Sequence, residues 1–134
     1  MKPISVSRIN PTLFKQEGDS LSGYSIIALA SAESTITVWK PSMQKPLTIV
    51  MDAFMMGVTD LSWGFNGNVL LASSTDGKVL AMHFKPGLLG TPCTEAEKRI
   101  IIQSKYGNAV LDEYVRHRKV QNANSVNLGQ LSSQ

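Results

Sequence analysis

The chain has 134 residues, 43% of them hydrophobic and 17% charged, with a formal net charge of +3. Such values fit one folded domain and exclude a chain disordered by composition, and 13 Lys and Arg against 10 Asp and Glu do not define a nucleic-acid-binding surface. The single cysteine, Cys93, excludes an internal disulfide and fits a reducing compartment. No run approaches the roughly 18 consecutive apolar residues of a membrane helix. Met1–Ser5 lacks the uninterrupted apolar stretch of a secretory signal, so the expectation is a soluble, non-secreted chain.

Residues 1–84 are short Val-, Ile-, Thr- and Ser-rich runs separated by Gly, Asn, Asp and Pro, the pattern of many short strands. In chain order the predicted strands are Ile4–Ile9, Tyr24–Ser31, Thr35–Lys40, Leu47–Asp52, Val58–Gly64, Val69–Ser74 and Lys78–Phe84. Sliding the chain by 43 positions lays Ser25–Ser31 over Asn68–Ser74, Glu33 over Asp76, Ile36 over Val79, Val38 over Ala81 and Trp39 over Met82. A four-stranded unit with a period of about 40–45 residues is a WD-repeat blade. Ile9 aligns with Trp63 only if 11 residues are inserted between Thr12 and Gly23, a polar stretch that reads as a surface loop. The first unit then has four strands. The second has three before Lys85-Pro86-Gly87, and a blade without its own outer strand is what the closing end of a ring contains.

Beyond the strands, Thr94-Glu95-Ala96-Glu97 has the form of a helix capping box. The helix it starts is predicted to stop at Gly107, where a left-handed conformation is free of steric cost. A second, weaker helix follows with Val110, Leu111, Tyr114 and Val115 on one side, and from Gln121 the Gln, Asn and Ser content predicts disorder. The fold class is therefore all-β: a partial WD-repeat β-propeller of two blades, the last lacking its outer strand, followed by a short C-terminal helical segment and a disordered tail. The corresponding divisions are residues 1–84, 85–120 and 121–134.

Several residues carry candidate roles. Asp76-Gly77 sits between two strands where a tight hairpin wants positive φ, so it reads as a turn. Trp39 and Trp63 are large enough to fill space between blades, each indole N–H needing a partner. Met51, Met55 and Met56 read as packing filler in a strand-to-strand connection, with a flexible binding surface as the alternative. Arg116, Arg118 and Lys119, with His117 between them, read as a solvated cap at a helix C-terminus, with contact to phosphate or to an acidic partner as the alternative. For catalysis, the nearest Ser/His/Asp set is Ser73, His83 and Asp76, without a G-x-S-x-G elbow. His83, His117 and Cys93 lack metal-ligand spacing, and Gly87-Leu88-Leu89-Gly90 falls short of any phosphate-binding glycine loop. The expectation is no enzyme, no cofactor, no metal, no small-molecule substrate and no membrane.

Taken together, Ile26–Trp39, Lys45-Pro46-Leu47, Val58–Trp63 and Ser74–Val79, with Asn10–Lys15, resemble the closing blades of the HIR/HIRA histone-regulator family. Leu89-Gly90, Thr94–Lys98 and Tyr106-Gly107 are similar to that family's segment after the propeller, so the resemblance covers about residues 3–108. Three departures stand out: Glu33 and Ser34 in place of the usual acidic turn, Lys40 in place of the Asp of a Trp-Asp pair, and no blade before the first unit. The resemblance implies a nuclear interaction scaffold within a histone chaperone that works in replication-independent nucleosome assembly and in repression of histone genes. Its implied partners are histones and other subunits of a HIR-type complex, with direct DNA contact left open. A generic WD-repeat scaffold of another nuclear or cytosolic complex is the alternative. Two blades leave apolar sheet faces and a strand edge uncovered, so the isolated chain is expected to be aggregation-prone, partly molten or assembled into oligomers.

Overall fold

The computed structural model describes residues 3–18 and 22–132, with side chains described through Ser125. The chain divides into two compact units, Met1–Thr94 and Glu95–Gln134.

In the first unit, strands β1 (Ile4–Ile9), β4 (Ile27–Ser31), β5 (Ile36–Trp39) and β6 (Thr48–Val50) form one antiparallel sheet in the order β1-β4-β5-β6. A second antiparallel sheet holds β7 (Val58–Trp63), β8 (Val69–Ser74) and β9 (Val79–His83) in that order. The strands predicted from alternation match these seven, trimmed at their ends by a few residues.

Alternation explains why the two sheets stack. Along β4, Ala28 and Ala30 are buried while Ile27 and Leu29 are only half-buried, and in β5 Ile36 and Val38 are buried while Thr37 and Trp39 are half-buried. Successive side chains of a strand point to opposite faces, so one face of the first sheet is dry and the other is not. On the second sheet the buried set is Val58, Leu61, Leu70, Ala72 and Ser74. Of these, Val58, Leu61, Leu70 and Ala72 join Ala28, Ala30, Ile36 and Val38 in one continuous core, with β1 and β4 packed against β7. Both sheets contribute small and large side chains to this core, Ala28 and Ala30 beside Ile36 and Val38 on the first and Ala72 beside Leu61 and Leu70 on the second.

The stretch predicted as a polar insertion loop is more ordered than its composition implies. β2 (Phe14–Lys15) and β3 (Gly23–Tyr24) pair antiparallel, and β10 (Thr91–Pro92) adds to β2 on the other side. Phe14 is buried and stacks on Tyr24 at 6.3 Å between ring centroids, while the Tyr24 hydroxyl donates to the Leu89 carbonyl at 2.7 Å. Gly90 makes this possible. Its φ of 119° is open to glycine alone, and any Cβ there would run into the Tyr24 hydroxyl. This third sheet ties residues 85–94, predicted as linker, to the strand-rich unit. Cys93 is buried there, and its N–H donates to the Leu13 carbonyl.

In the second unit, α1 (Glu95–Tyr106) begins directly after Thr94 and stops at Gly107, whose φ is 82° and whose N–H bonds to the Gln103 carbonyl. Both the capping-box start and the glycine stop follow the sequence. α2 (Asn108–Ser132) differs from expectation because it continues through the Gln-, Asn- and Ser-rich stretch predicted to be disordered. Those residues nucleate helix poorly, yet a helix already formed upstream adds each further residue at little cost. Val110 also differs: it is exposed, and the half-buried positions are Leu111, Tyr114, Val115 and Arg118, spaced three and four apart on one helix face.

Candidate interaction surface

The connection between the two main sheets is pinned by hydrogen bonds at both ends. At one end, the Ala53 and Phe54 N–H groups donate to the Ser34 carbonyl at 3.1 Å and to the Ser34 hydroxyl at 2.7 Å. At the other, the Met55 N–H donates to the Asp76 carboxylate at 3.2 Å, and the Ser74 hydroxyl donates to the Met56 and Gly57 carbonyls. Ser34 and Gly77 occupy equivalent hairpin positions at the 43-residue shift, and both have positive φ, 67° and 85°. The loop is thus laced between the same turn of two successive blades. The Lys78 N–H, 2.9 Å from Asp76, is the first cause holding that carboxyl below its ordinary range. Partial desolvation opposes it, and the Met55 N–H, the Lys78 charge and the Ser74 hydroxyl reinforce it.

This lacing overturns the packing-filler reading of the methionines and leaves the alternative, a binding surface. Phe54 is the buried residue of the loop, whereas Met55 is 88% exposed, with Met51 and Met56 exposed beside it. Strand-period reasoning could not place them, since the loop carries no alternation. Polarizable, adaptable side chains held outward on a pinned backbone form a surface suited to protein contact.

The two tryptophans part company. Trp63 lies on the stacked face, its ring 5.7 Å from that of Phe84 and its indole N–H donating to the Arg8 carbonyl of β1 at 3.1 Å. Beside it Arg8 and Asp60 pair at 2.8 Å across β1 and β7, an exposed ion pair worth little by itself. Trp39 instead sits on the uncovered face of the first sheet, its indole N–H donating to the Thr37 hydroxyl at 2.9 Å. With Ile4, Leu29, Ser31, Thr35 and Thr37 it lines a groove of about 340 Å³. Lys40, where a Trp-Asp pair would carry its acid, places its ammonium 4.1 Å above the Tyr24 ring, a cation–π contact in place of a polar network. Sequence reasoning also missed Asn10. It is 3% exposed, its amide nitrogen donates to the Gly67 carbonyl at 2.7 Å, and its amide oxygen accepts from the Thr12 N–H at 2.9 Å. The end of β1 is thereby clamped to the β7–β8 turn 57 residues away.

Within the helical unit Glu95 is the hub. Its carboxylate accepts from the Tyr114 hydroxyl at 2.9 Å, pairs with Arg118 and lies 3.7 Å from the Lys98 ammonium. Partial burial is the largest influence and pushes the Glu95 carboxyl up, but Tyr114, Arg118 and Lys98 together outweigh it and hold the group below its ordinary value. Burial, followed by the bond to Glu95, raises the Tyr114 phenol. A carboxyl lowered in the folded state contributes stability that is complete above about pH 4.3, the ordinary Glu value, and is lost as pH falls through the lower folded value. Circular dichroism between about pH 6 and pH 3 is expected to show the helical signal weakening at the acid end. In Glu95→Gln the loss is already present at neutral pH and that acid step is flattened.

The basic run is not the helix end that its sequence suggests. Arg116, Arg118 and Lys119 fall in the middle of α2, because the helix runs on to Ser132, so a C-terminal dipole cap is excluded. Arg118 is committed to Glu95, Arg116 reaches the Asp112 carbonyl at 3.4 Å, and Lys119 is exposed.

A hydrolytic relay is not assembled. Ser73 shares a hydrogen bond with Thr59 at 2.9 Å, Asp76 is engaged by backbone N–H groups, and His83 pairs with Val69, four strand positions from Ser73. At about 3.3 Å per residue that is roughly 13 Å along the strand. Among the described residues no three His, Cys, Asp or Glu side chains cluster, and no helix is long and apolar enough to cross a membrane.

Two stacked antiparallel sheets, repeated in register, with matching Ser-x-x turns and a laced connection, define a sector of a WD-repeat propeller. Residues 23–106 match the family described as the Anaphase-promoting complex subunit 4 WD40 domain, and the chain belongs to that WD40 family. It is also 32% identical over 115 residues to Protein HIRA of Xenopus laevis and of Homo sapiens, covering 81% of this chain. Protein HIR1 of Cryptococcus neoformans is 37% identical over 86 residues, covering 62% of this chain and 10% of the relative. These relatives bear out the HIR/HIRA resemblance read from the sequence. The chain spans about a tenth of the length of the curated relatives it matches, 11% for the Xenopus and human proteins.

Proposed function

We propose that the chain is a protein-interaction scaffold, not an enzyme, acting in the nucleus as part of a HIR/HIRA-like histone chaperone. In this reading it serves replication-independent nucleosome assembly and transcriptional repression of histone genes. Its blade rims and the methionine-bearing loop hold partner proteins of a HIR-type complex while other subunits handle the histone. The observation that carries the reading is the similarity to HIRA and HIR1 proteins, which extends over 81% of the chain for the vertebrate relatives. The rigid outward presentation of Met51, Met55 and Met56 supports a binding rather than a catalytic role. Residues Arg116 and Lys119 are further candidates for partner contact, since both lie on an exposed helix face.

The match of residues 23–106 to a WD40 domain named for another assembly favours a second reading, a scaffold of a different complex. Affinity purification of the tagged chain from nuclear extract separates the two. Core histones and HIR-type subunits are expected among the retained proteins. Their absence, with subunits of another complex in their place, overturns the first reading in favour of the second.

A further inference from the structure

We infer that Asn66 is a site of slow covalent self-modification, in which Asn66-Gly67 becomes an aspartyl or isoaspartyl linkage, and that the Asn10 clamp on the β7–β8 turn sets its rate. Asn66-Gly67 is the single Asn-Gly pair of the chain. In such a pair the backbone nitrogen that follows the asparagine is unhindered by any Cβ, so it can reach the side-chain amide.

The fold itself demands the glycine. Gly67 is buried with a φ of 69°, and a Cβ built there would lie 2.5 Å from both the Asn10 amide oxygen and the Thr12 hydroxyl. Asn66 beside it is exposed. The packing that closes on Gly67 therefore creates a labile dipeptide, and the same packing restrains it. The Gly67 N–H donates to the Gly64 carbonyl at 2.9 Å, and the Asn10 side-chain nitrogen donates to the Gly67 carbonyl at 2.7 Å. The Phe84 N–H donates to the Asn68 carbonyl at 2.9 Å and holds the far side of the turn. Cyclisation requires the Gly67 nitrogen to leave the Gly64 carbonyl, lose its proton and turn toward Asn66 Cγ. With Gly67 held on both flanks, that rotation belongs to the fraction of molecules in which the turn has opened locally.

Water is the one co-reactant. The deprotonated Gly67 nitrogen attacks Asn66 Cγ, a C–N bond forms, and the side-chain nitrogen leaves as ammonia to give a five-membered succinimide. Water then opens the ring. Cleavage of the new Cγ–N bond leaves aspartate with an ordinary backbone, whereas cleavage of the bond between the Asn66 carbonyl carbon and the Gly67 nitrogen leaves isoaspartate. In isoaspartate the main chain runs through the side chain and is one methylene longer. That added length displaces Gly67 from Gly64 and from Asn10 and so releases the tie to the end of β1, 57 positions away. Plain aspartate at an exposed side chain leaves the tie closed.

Incubation of the 134-residue chain at neutral pH, with peptide mapping by mass spectrometry, follows Asn66. Conversion is expected to be fastest in the urea-unfolded chain and slowest in native wild type. Folded Asn10→Ala, which strips the Gly67 carbonyl of its buried donor, is expected to convert faster than wild type by on the order of tenfold or more. Ile36→Ala weakens the core on the other sheet and keeps the clamp, and its rate is expected to stay near wild type. Asn68, hindered by the β-branched Val69 that follows it, is the internal reference and is expected to stay intact. A second measurement is independent of Asn10→Ala: the isoaspartyl chain, made in urea, separated and refolded, is expected to show a lower urea midpoint than Asn66→Asp, which matches wild type. Native conversion at the unfolded rate overturns the inference. So does a folded Asn10→Ala chain no faster than wild type or Ile36→Ala, or an isoaspartyl chain as stable as Asn66→Asp.

Discussion

Leu70→Ala is expected to lower the stability of the first unit by about 2–5 kcal/mol, read as a shift of the urea midpoint at fixed chain concentration. Leu70 is fully buried on the central strand of the second sheet, paired with Trp63 on one side and Met82 on the other. Leu70 belongs to the same continuous core as Ala28, Ala30, Ile36 and Val38, so its truncation leaves a cavity among fully buried neighbours. The cost therefore falls in the upper part of that range. For a domain whose whole stability is about 5–15 kcal/mol, this removes a large fraction of it. The conservative Leu70→Met change keeps most of the volume and is expected to cost less than about 1.5 kcal/mol. Equal losses for the two variants would show that the stacked interface is loosely packed.

Asn10→Asp is expected to be nearly as damaging by a different route, and its signature is a dependence on pH. The side-chain nitrogen donates to the Gly67 carbonyl while the oxygen accepts from the Thr12 N–H, both in a site that water scarcely reaches. Aspartate keeps the acceptor but sets a carboxylate oxygen against the Gly67 carbonyl, leaving a buried oxygen without its donor at a cost of about 1–3 kcal/mol or more. Burial and that repulsion raise the folded carboxyl above its ordinary value of about 3.9, and a raised carboxyl makes stability fall as pH rises through the window between the two values. The variant is thus expected to recover in mild acid, where the protonated carboxyl donates to Gly67 again, while wild type shows no such recovery in this unit. Denaturant unfolding at about pH 7 and pH 5 distinguishes them.

Which parts of this architecture were legible in advance follows from the length scale of each signal. The seven long strands were, since Ile27–Ser31 or Val69–Ser74 alternate over enough residues to reveal a dry face, and the 43-residue shift displayed the repeat without any structure. The same shift pairs Ser34 with Gly77, but sequence alone does not say that serine adopts the glycine's left-handed conformation there, its hydroxyl and carbonyl anchoring the next loop. Two-residue strands such as Phe14–Lys15 and Thr91–Pro92 have no period to read, and their pairing spans 76 positions. Asn10 looks like any polar turn residue until its partner at Gly67 is known. The methionines at 51, 55 and 56 failed a composition rule because exposure there is decided by backbone anchors on either side, not by hydropathy. The helix past Gln121 was hidden for a related reason, as propagation from the upstream turns of α2 outweighs local residue preference.

Both strands that lead their sheets carry an irregularity at the same place, between Ile4 and Val6 in β1 and between Val58 and Asp60 in β7. A bulge there spoils the even ladder of amides along the margin and adds twist, so a foreign chain finds no flat template to extend. β9 at the opposite margin is paired evenly from Val79 to His83 on its inner side and carries no such safeguard. Among the described residues that margin is one a foreign strand can extend, and a lysine or proline placed on the outward rim of β9 is expected to slow fibril growth in a crowded solution.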